Sequence, residues 1–309
     1  MSTFKTAVVG CGGIGKAHGK AWKNVAELTA VVDLNPEKAK EAGEMLGVAW
    51  YTSIDDLPQV DAVSVATPPQ AHYGVTKALL MRDMHVFCEK SMTVVPEEGY
   101  ELAEMSRARG LQLGVGFKMR HEPIFKAARE YLPEIGNIIS VVTTKQQEFN
   151  PRPEGAWVKK TGAMYELSIH DFDLIGYITG HWPEKVLYSK LSHRFGWEAE
   201  DAFHIVADCG GFTANLQGMY ATSCTFAFKD LTITIMGENG YMRIERPDRI
   251  VMHTDTHRVI EVDPKGVNSF EAELTHFRDA CLGLEENTVT PERAAALTEF
   301  IETARRMSV

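Results

Sequence analysis

The chain has no long apolar run. Every hydrophobic stretch is strand-sized, which argues against a membrane-spanning helix, and residues 1–5 lead directly into the first such stretch, so no secretory leader is expected. Cysteine is scarce. The five, at positions 11, 88, 209, 224 and 281, are odd in number and lack CxxC or ligand-like spacing, which excludes a disulfide framework and points to a reducing, cytoplasmic setting. Positive charge is also in deficit: 32 Lys and Arg against 42 Asp and Glu leave a formal charge of −10 with no basic stripe, which argues against a nucleic-acid partner. Repeats and low-complexity segments are missing. What remains is an ordinary globular composition, 44% hydrophobic and 24% charged, over 309 residues, a length that suits two domains.

Glycine is placed with purpose. The apolar run Thr6 to Val9 reads as a strand buried on both faces of a parallel sheet, and it ends in Gly10-Cys11-Gly12-Gly13-Ile14-Gly15. Gly10 permits a tight turn, Gly12 lets the backbone approach a pyrophosphate, and Gly15 lets the next helix pack close to the strand. A helix N-terminus near Gly13 offers free N–H groups to phosphates. A second apolar run, Leu28 to Val32, ends in Asp33, at the spacing expected of a carboxylate that binds an adenosine ribose. That carboxylate repels a 2′-phosphate, and no Arg follows it, so NAD is the expected cofactor; Lys38 keeps NADP as the minor alternative. The bland alternative for Asp33 is that it caps the helix opening at Pro36.

Strand and helix patterns alternate up to about residue 116, giving a doubly wound parallel sheet (Rossmann, α/β) over residues 1–120 with its ligand at the carboxyl ends of the strands. The remainder, residues 121–309, reads as an α+β domain with a largely antiparallel open sheet. Its signals are a β stretch from Asn137 to Phe149, an apolar helix from about Ala163 to Ile178, strands between Lys185 and Val262 with a hairpin turn at Glu238-Asn239-Gly240, and closing helices at 268–283 and 291–307. Such a sheet carries helices on one face. The other face is expected to pack against a second subunit as a homodimer or homotetramer; the alternative is a polar, solvated outer face.

Two groups of residues carry chemistry. Lys90 follows the strand His85 to Cys88 and lies at the sheet edge where a nicotinamide belongs. Glu166, His170 and Asp173, four and three residues apart, fall on one face of an otherwise apolar helix. Oxidising a secondary alcohol requires a base, and an imidazole with an ordinary pKa near 6.5 exchanges protons at neutrality, which makes His170 the candidate. Glu166 would orient it, and Lys90 would donate to the substrate oxygen. No metal is assigned: His253 and His257 lie four apart in a β region, where that spacing makes no common ligand face. Arg120, Arg152, Lys159 and Lys160 are either substrate contacts from the domain junction or plain surface charge.

These residues resemble the glucose–fructose oxidoreductase and inositol dehydrogenase family, Gfo/Idh/MocA, over nearly the whole chain. The likeness rests on the opening glycine motif with His18, Ala66-Thr67-Pro68-Pro69 with His72, the Glu89-Lys90 pair, and Gly162 followed by Glu166, His170 and Asp173. It implies Lys90 and His170 in catalysis, Glu166 supporting His170, and Asp173 either binding substrate or organising the helix. The implied cofactor residues are Gly10, Gly12, Gly13, Ile14, Gly15, Asp33, Thr67, Pro68, His72, Glu89 and Lys90. The implied activity is hydride transfer between NAD and a secondary hydroxyl of a cyclic polyol, sugar or sugar derivative. NAD-assisted glycoside cleavage and a non-catalytic sugar sensor are the alternatives on the same fold, and metal-dependent hydrolysis through Glu166, His170 and Asp173 is a fourth. Two departures stand out. Ser91 replaces the family's Pro after Glu-Lys, where either trans geometry or strain is expected, and Glu166 replaces the usual Asp, which changes its reach by one methylene.

Overall fold

The structure, a computed structural model, describes residues 3–149, 157–221 and 228–309. The chain divides into two compact units, Met1–Lys118 with Asn268–Thr298, and Met119–Val267 with Glu299–Val309.

The first unit is a six-stranded parallel sheet. Its strands are β1 (Lys5–Val9), β2 (Glu27–Val32), β3 (Ala49–Tyr51), β4 (Ala62–Val65), β5 (His85–Glu89) and β6 (Leu113–Gly116), in the order β3-β2-β1-β4-β5-β6. The connecting helices are α1 (Gly13–Val25), α2 (Pro36–Leu46), α3 (Pro69–Met81) and α4 (Pro96–Ala108). Strand order reverses beside β1, which places the carboxyl ends of β1 and β4 at the switch point where ligands enter such sheets. Both faces are covered, and Ala7, Val8, Ala62 and Val63 are completely buried. The N-cap of α2 is Asn35, whose side chain accepts from the N–H groups of Glu37 and Lys38, so Asp33 is not the cap.

One part of the domain assignment differs from the sequence reading. That reading kept 121–309 together, whereas Asn268–Thr298 returns to the first unit. The helix α8 (Ser269–Cys281) carries Leu274 and Phe277 into the core formed by Trp22, Val31 and Phe87, with the Phe87 and Phe277 rings edge to face at 5.3 Å. Burial of one such side chain is worth about 1.5–3 kcal/mol, so the apolar face of the helix decides which unit it joins, whatever its place in the chain.

The second unit is built on an eight-stranded sheet: β7 (Ile138–Glu148), β8 (Lys185–Ser192), β9 (Ala202–Asp208), β10 (Thr213–Ala221), β11 (Lys229–Gly237), β12 (Gly240–Glu245), β13 (Arg249–His253) and β14 (His257–Glu261). The order is β14-β13-β12-β11-β7-β10-β9-β8, and every pairing is antiparallel except β10 with β7. Glu238 and Asn239 form the β11–β12 turn; Gly240 has φ 144°, and a Cβ there would lie 1.9 Å from the His253 carbonyl oxygen. Alternate residues, Val141, Thr143 and Lys145 on β7 and Ala214 and Leu216 on β10, are buried on the face covered by α7 (Ile169–Thr179) and the Met164–Ser168 segment before it, while α5 (Pro123–Tyr131) packs on α7 and on β12 and β13. The outer residues are mixed rather than continuously apolar, with Thr144, Asn215, Gln217 and Thr234 beside Val142, Val206 and Met236. A last helix, α9 (Pro291–Arg306), closes the chain.

The helix expected over Ala163 to Ile178 is not one continuous α-helix. A short α6 (Val158–Ala163) is followed by a π-helical turn, Met164–Ser168, before α7 begins. Gly162 stands at φ 85°, and a Cβ there would meet the Glu200 carboxylate at 2.4 Å. The Glu200 carboxylate instead accepts the Met164 N–H at 3.0 Å, and Arg305 donates to it at 2.8 Å. A buried acid thus takes up a backbone donor at the disrupted turn.

Candidate active site

In the first unit, β1 ends at Gly10, where φ is 96° and a Cβ would lie 2.6 Å from the carbonyl of Ala66. Gly15 is equally constrained: its Cβ would sit 1.7 Å from the Gly10 carbonyl oxygen, so the first turn of α1 packs directly on the glycine turn. Gly12 and Gly13 face open space, Gly12 is the N-cap without any side-chain bond, and the first turn of α1 holds no acidic residue. Ile14 beside them is exposed. The result is an open cradle of N–H groups with the positive end of a helix dipole behind it. Asp33 flanks it: one carboxylate oxygen accepts the Cys11 N–H and the other the Asn35 N–H, each at 2.8 Å. At the end of β4 the Thr67 hydroxyl is buried and has no hydrogen-bond partner among the described residues, an acceptor–donor held ready for a ligand. Cradle, carboxylate and hydroxyl fit a nicotinamide dinucleotide. Gly10, Gly12, Gly13, Ile14, Gly15, Asp33, Thr67 and Pro68 are the residues that would hold it.

Two of the expected cofactor residues are placed differently. His72 is fully buried, with Nδ1 2.7 Å from the Ser91 carbonyl oxygen and Nε2 2.8 Å from that of Thr67. It ties the turn after β4 to the turn after β5 and leaves no ring nitrogen for a ligand. The Glu89 carboxylate lies 2.9 Å from His18 Nε2 and accepts the Lys90 N–H at 3.1 Å. Its work is therefore inside the unit. Burial pushes the Glu89 carboxyl up, but the hydrogen bond and charge of His18, with Lys90 and Lys118, more than offset this and leave it below the ordinary value. Lys90 is half-buried just beyond β5, and the Lys90–Ser91 peptide is cis, the geometry the family's proline favours.

In the second unit, the stretch from Thr161 to Ile178 is buried except at Glu166, His170 and Tyr177. The two ionisable groups singled out from the sequence are thus the ones that reach the edge of an apolar segment. The Glu166 carboxylate accepts from the Thr161 hydroxyl at 3.1 Å. Asp173 does not reach the edge with them. It is 1% exposed, and the Arg120 guanidinium grips both its oxygens, Nε at 2.7 Å from Oδ2 and an Nη on Oδ1. Of the two roles the resemblance allowed, organising the helix is the one this geometry serves. The one-face argument assumed a regular α-helix throughout; the π-helical turn at Met164–Ser168 breaks the register between Glu166 and His170, whereas His170 and Asp173 share the regular α7 and Asp173 is set apart by its ion pair with Arg120.

Arg120 is correspondingly a buried structural partner and not a loop cation reaching for substrate. The net effect of Asp173 on it is upward, against burial, so it stays charged. Lys159 and Lys160 are exposed, and Arg152 lies outside the described residues. Sequence reasoning also missed Lys145 and Asp171, an ion pair at 3.7 Å with both side chains at 2% exposure or less. Burial drives the Asp171 carboxyl upward, and the Lys145 charge opposes this. A further miss is Glu273, whose signal was legible as an acid on the apolar stripe Phe270, Leu274, Phe277 of α8. Among the described residues, His18, Glu89 and Glu273 are the group with metal-ligand atoms close together, all within 4.8 Å.

A parallel sheet whose first strand opens on an uncapped glycine turn, with a carboxylate ending the next strand, defines a dinucleotide-binding Rossmann protein. Comparison with known families carries this further. Residues 4–117 match the model described as the oxidoreductase family with an NAD-binding Rossmann fold, and residues 125–243 match the C-terminal domain of the same family. The chain belongs to the Gfo/Idh/MocA family. It is 30% identical over 187 residues to a UDP-N-acetylglucosamine 3-dehydrogenase of Acidithiobacillus ferrooxidans, a match covering 60% of this chain and 58% of that protein. An inositol 2-dehydrogenase of Rhizobium meliloti is 28% identical over 191 residues, covering 60% and 57%. The chain therefore matches less than two thirds of the length of these relatives. In fold it is similar to an oxidoreductase of Agrobacterium radiobacter solved with NAD+, L-tartaric acid and magnesium, with a TM-score of 0.91 at 20% identity over 99% of this chain and 96% of that one.

Proposed function

We propose that the protein is an NAD-dependent oxidoreductase that moves a hydride between the nicotinamide and a secondary hydroxyl or ketone of a cyclic polyol, sugar or sugar derivative. The observation that carries the reading is the exposure pattern of residues 161–178, where Glu166 and His170, with the Tyr177 phenol, are the side chains that open from a buried segment. The bound dinucleotide supplies the hydride acceptor or donor. His170 takes up the hydroxyl proton when alcohol is oxidised and returns it in the reverse direction. Lys90 donates a hydrogen bond to the substrate oxygen and stabilises negative charge as it develops there. Glu166, pinned by Thr161, sets the electrostatic surroundings of His170. The activities of the relatives, on an inositol and on a nucleotide sugar, support the substrate class.

The experiment is a panel of inositols, aldoses and sugar acids followed by NAD reduction. Lys90→Ala and His170→Ala are expected to lower turnover at least ~100-fold while cofactor affinity stays within about threefold. Tight NAD binding with no turnover across the panel would return the non-catalytic sensor. We further propose self-association through the outer face of the eight-stranded sheet, which analytical ultracentrifugation reads directly, and residence in the cytoplasm. Val142, Val206 and Met236 would supply the apolar contacts of that face.

A further inference from the structure

The proposed chemistry leaves the tip of the β13–β14 hairpin without a role. His253 ends β13 and His257 begins β14, and the two pair directly across the turn 254–256, where the Thr254 N–H donates to the Thr256 carbonyl at 3.0 Å. A spacing of four along one strand makes no common ligand face, but across a three-residue turn it becomes a cross-strand pair, so the expectation from the sequence does not hold for these two histidines. Their ring centres are 4.1 Å apart, with the planes inclined at 42°. On its other side His253 is in register with Tyr241 of β12, whose ring stacks on it at 4.7 Å and 21°. His253 is half-buried and His257 exposed. Neither ring has a hydrogen-bond partner among the described residues, so the ring nitrogens are available to a ligand.

We infer that His253 and His257 form a binding site for a divalent transition-metal ion of the Cu2+, Ni2+ or Zn2+ class, with one nitrogen from each ring and water in the remaining positions. Bonds of about 2.0–2.1 Å from two nitrogens, at a right angle or somewhat wider, need those nitrogens roughly 3 Å apart. Residues opposite each other on neighbouring strands have Cβ atoms about 4.5–5.5 Å apart, and two imidazoles already face to face need only turn about their side-chain bonds to converge. The stack on Tyr241 holds one of the rings in place, which lowers the entropy lost on binding. Among the described residues no carboxylate or thiol joins the pair to make a set of three. A donor set of imidazoles favours Cu2+, Ni2+ and Zn2+ over Mg2+ and Ca2+, which take oxygen, and Cu2+ should bind the most tightly. The bound ion would tie β14, the last strand at that edge of the sheet, to β13. The site lies wholly in the second unit and does not depend on the hydride-transfer reading.

The test uses the full-length protein without an affinity tag, stripped of metal by a chelator and then dialysed. Electron paramagnetic resonance with Cu2+ at or below one equivalent is expected to show coupling to two imidazole nitrogens. Calorimetric titration with Ni2+ and with Zn2+, each repeated in excess Mg2+, is expected to give a single site per chain that Mg2+ does not occupy. His253→Gln and His257→Gln should each weaken that binding at least ~tenfold, while NAD affinity stays at its wild-type value. Saturating Ni2+ should also raise the melting temperature of the wild type and leave that of His257→Gln unmoved. If His253→Gln does not fold, the exposed His257→Gln and the Cu2+ spectrum of the wild type still decide. Binding that survives either substitution unchanged, a Cu2+ spectrum without two-nitrogen coupling, or displacement of the ion by Mg2+ overturns the inference.

Discussion

Replacing Asp173 with Asn separates a structural carboxylate from a substrate-binding one. The side chain is 1% exposed and its partner Arg120 5%, with two parallel N–H donors on one carboxylate. Removing one member leaves the other buried and uncompensated, at a cost of about 3–5 kcal/mol. For a unit of roughly 150–250 residues each kcal/mol moves the melting temperature by about 2–4 °C, so the second unit should melt roughly 6–20 °C lower. Differential scanning calorimetry of wild type, Asp173→Asn, Arg120→Met and the double variant Arg120→Met/Asp173→Leu provides the assay. The double variant should recover most of the loss, because a well-packed apolar pair carries no desolvation cost. The two single losses should sum to more than the double, the mark of direct coupling. An Asp173→Asn protein that melts within about 1 °C of wild type, yet shows a raised KM for its sugar, would refute the reasoning and make Asp173 a substrate ligand.

Three further outcomes follow from the first unit. Gly15→Ala places a Cβ 1.7 Å from the Gly10 carbonyl oxygen and is expected to cost about 1–3 kcal/mol and weaken NAD binding, measured by chemical denaturation and calorimetric titration. Asp33→Asn removes the charge that repels a 2′-phosphate, so the ratio of NAD to NADP affinity should fall, read by fluorescence titration with both cofactors; the amide oxygen can accept from only one of the Cys11 and Asn35 N–H groups, so the ratio and not either affinity alone is the readout. Because Glu273 binds its proton more tightly folded than unfolded, wild-type stability should fall as pH rises from the ordinary carboxylate value towards the raised one, by up to about 1.4 kcal/mol per pH unit. Glu273→Gln should flatten that slope in urea melts between pH 5 and 8; an unchanged slope would place the titration elsewhere.

The cofactor half was legible because its chemistry is local. The glycine turn, the second strand and Asp33 span about thirty consecutive residues, with Gly15 answering a contact inside that span, Gly10 one just past the adjoining strand β4, and Gly12 and Gly13 left open. Lys90 was legible for the same reason, as the residue just past a strand end. His170 and Glu166 were legible as ionisable groups in an apolar segment. Their helical register was not, because a π-helical turn depends on Gly162 and on a buried Glu200 some 38 residues further along the chain.

The amino-acid sequence by itself determined the parallel sheet, the dinucleotide turn and the family, since hydrophobic period and glycine spacing act over neighbouring residues. Only the tertiary structure decided that Asp173 belongs to Arg120, that His72 and Glu89 hold turns together, and that α8 joins the first unit to bring Glu273 beneath Lys90. The parallel pairing of β10 with β7 inside an otherwise antiparallel sheet was likewise decided by the fold. The physical reason is shared: a buried charge or a free strand edge is satisfied by whichever partner the packing delivers, and that partner can stand far away in sequence.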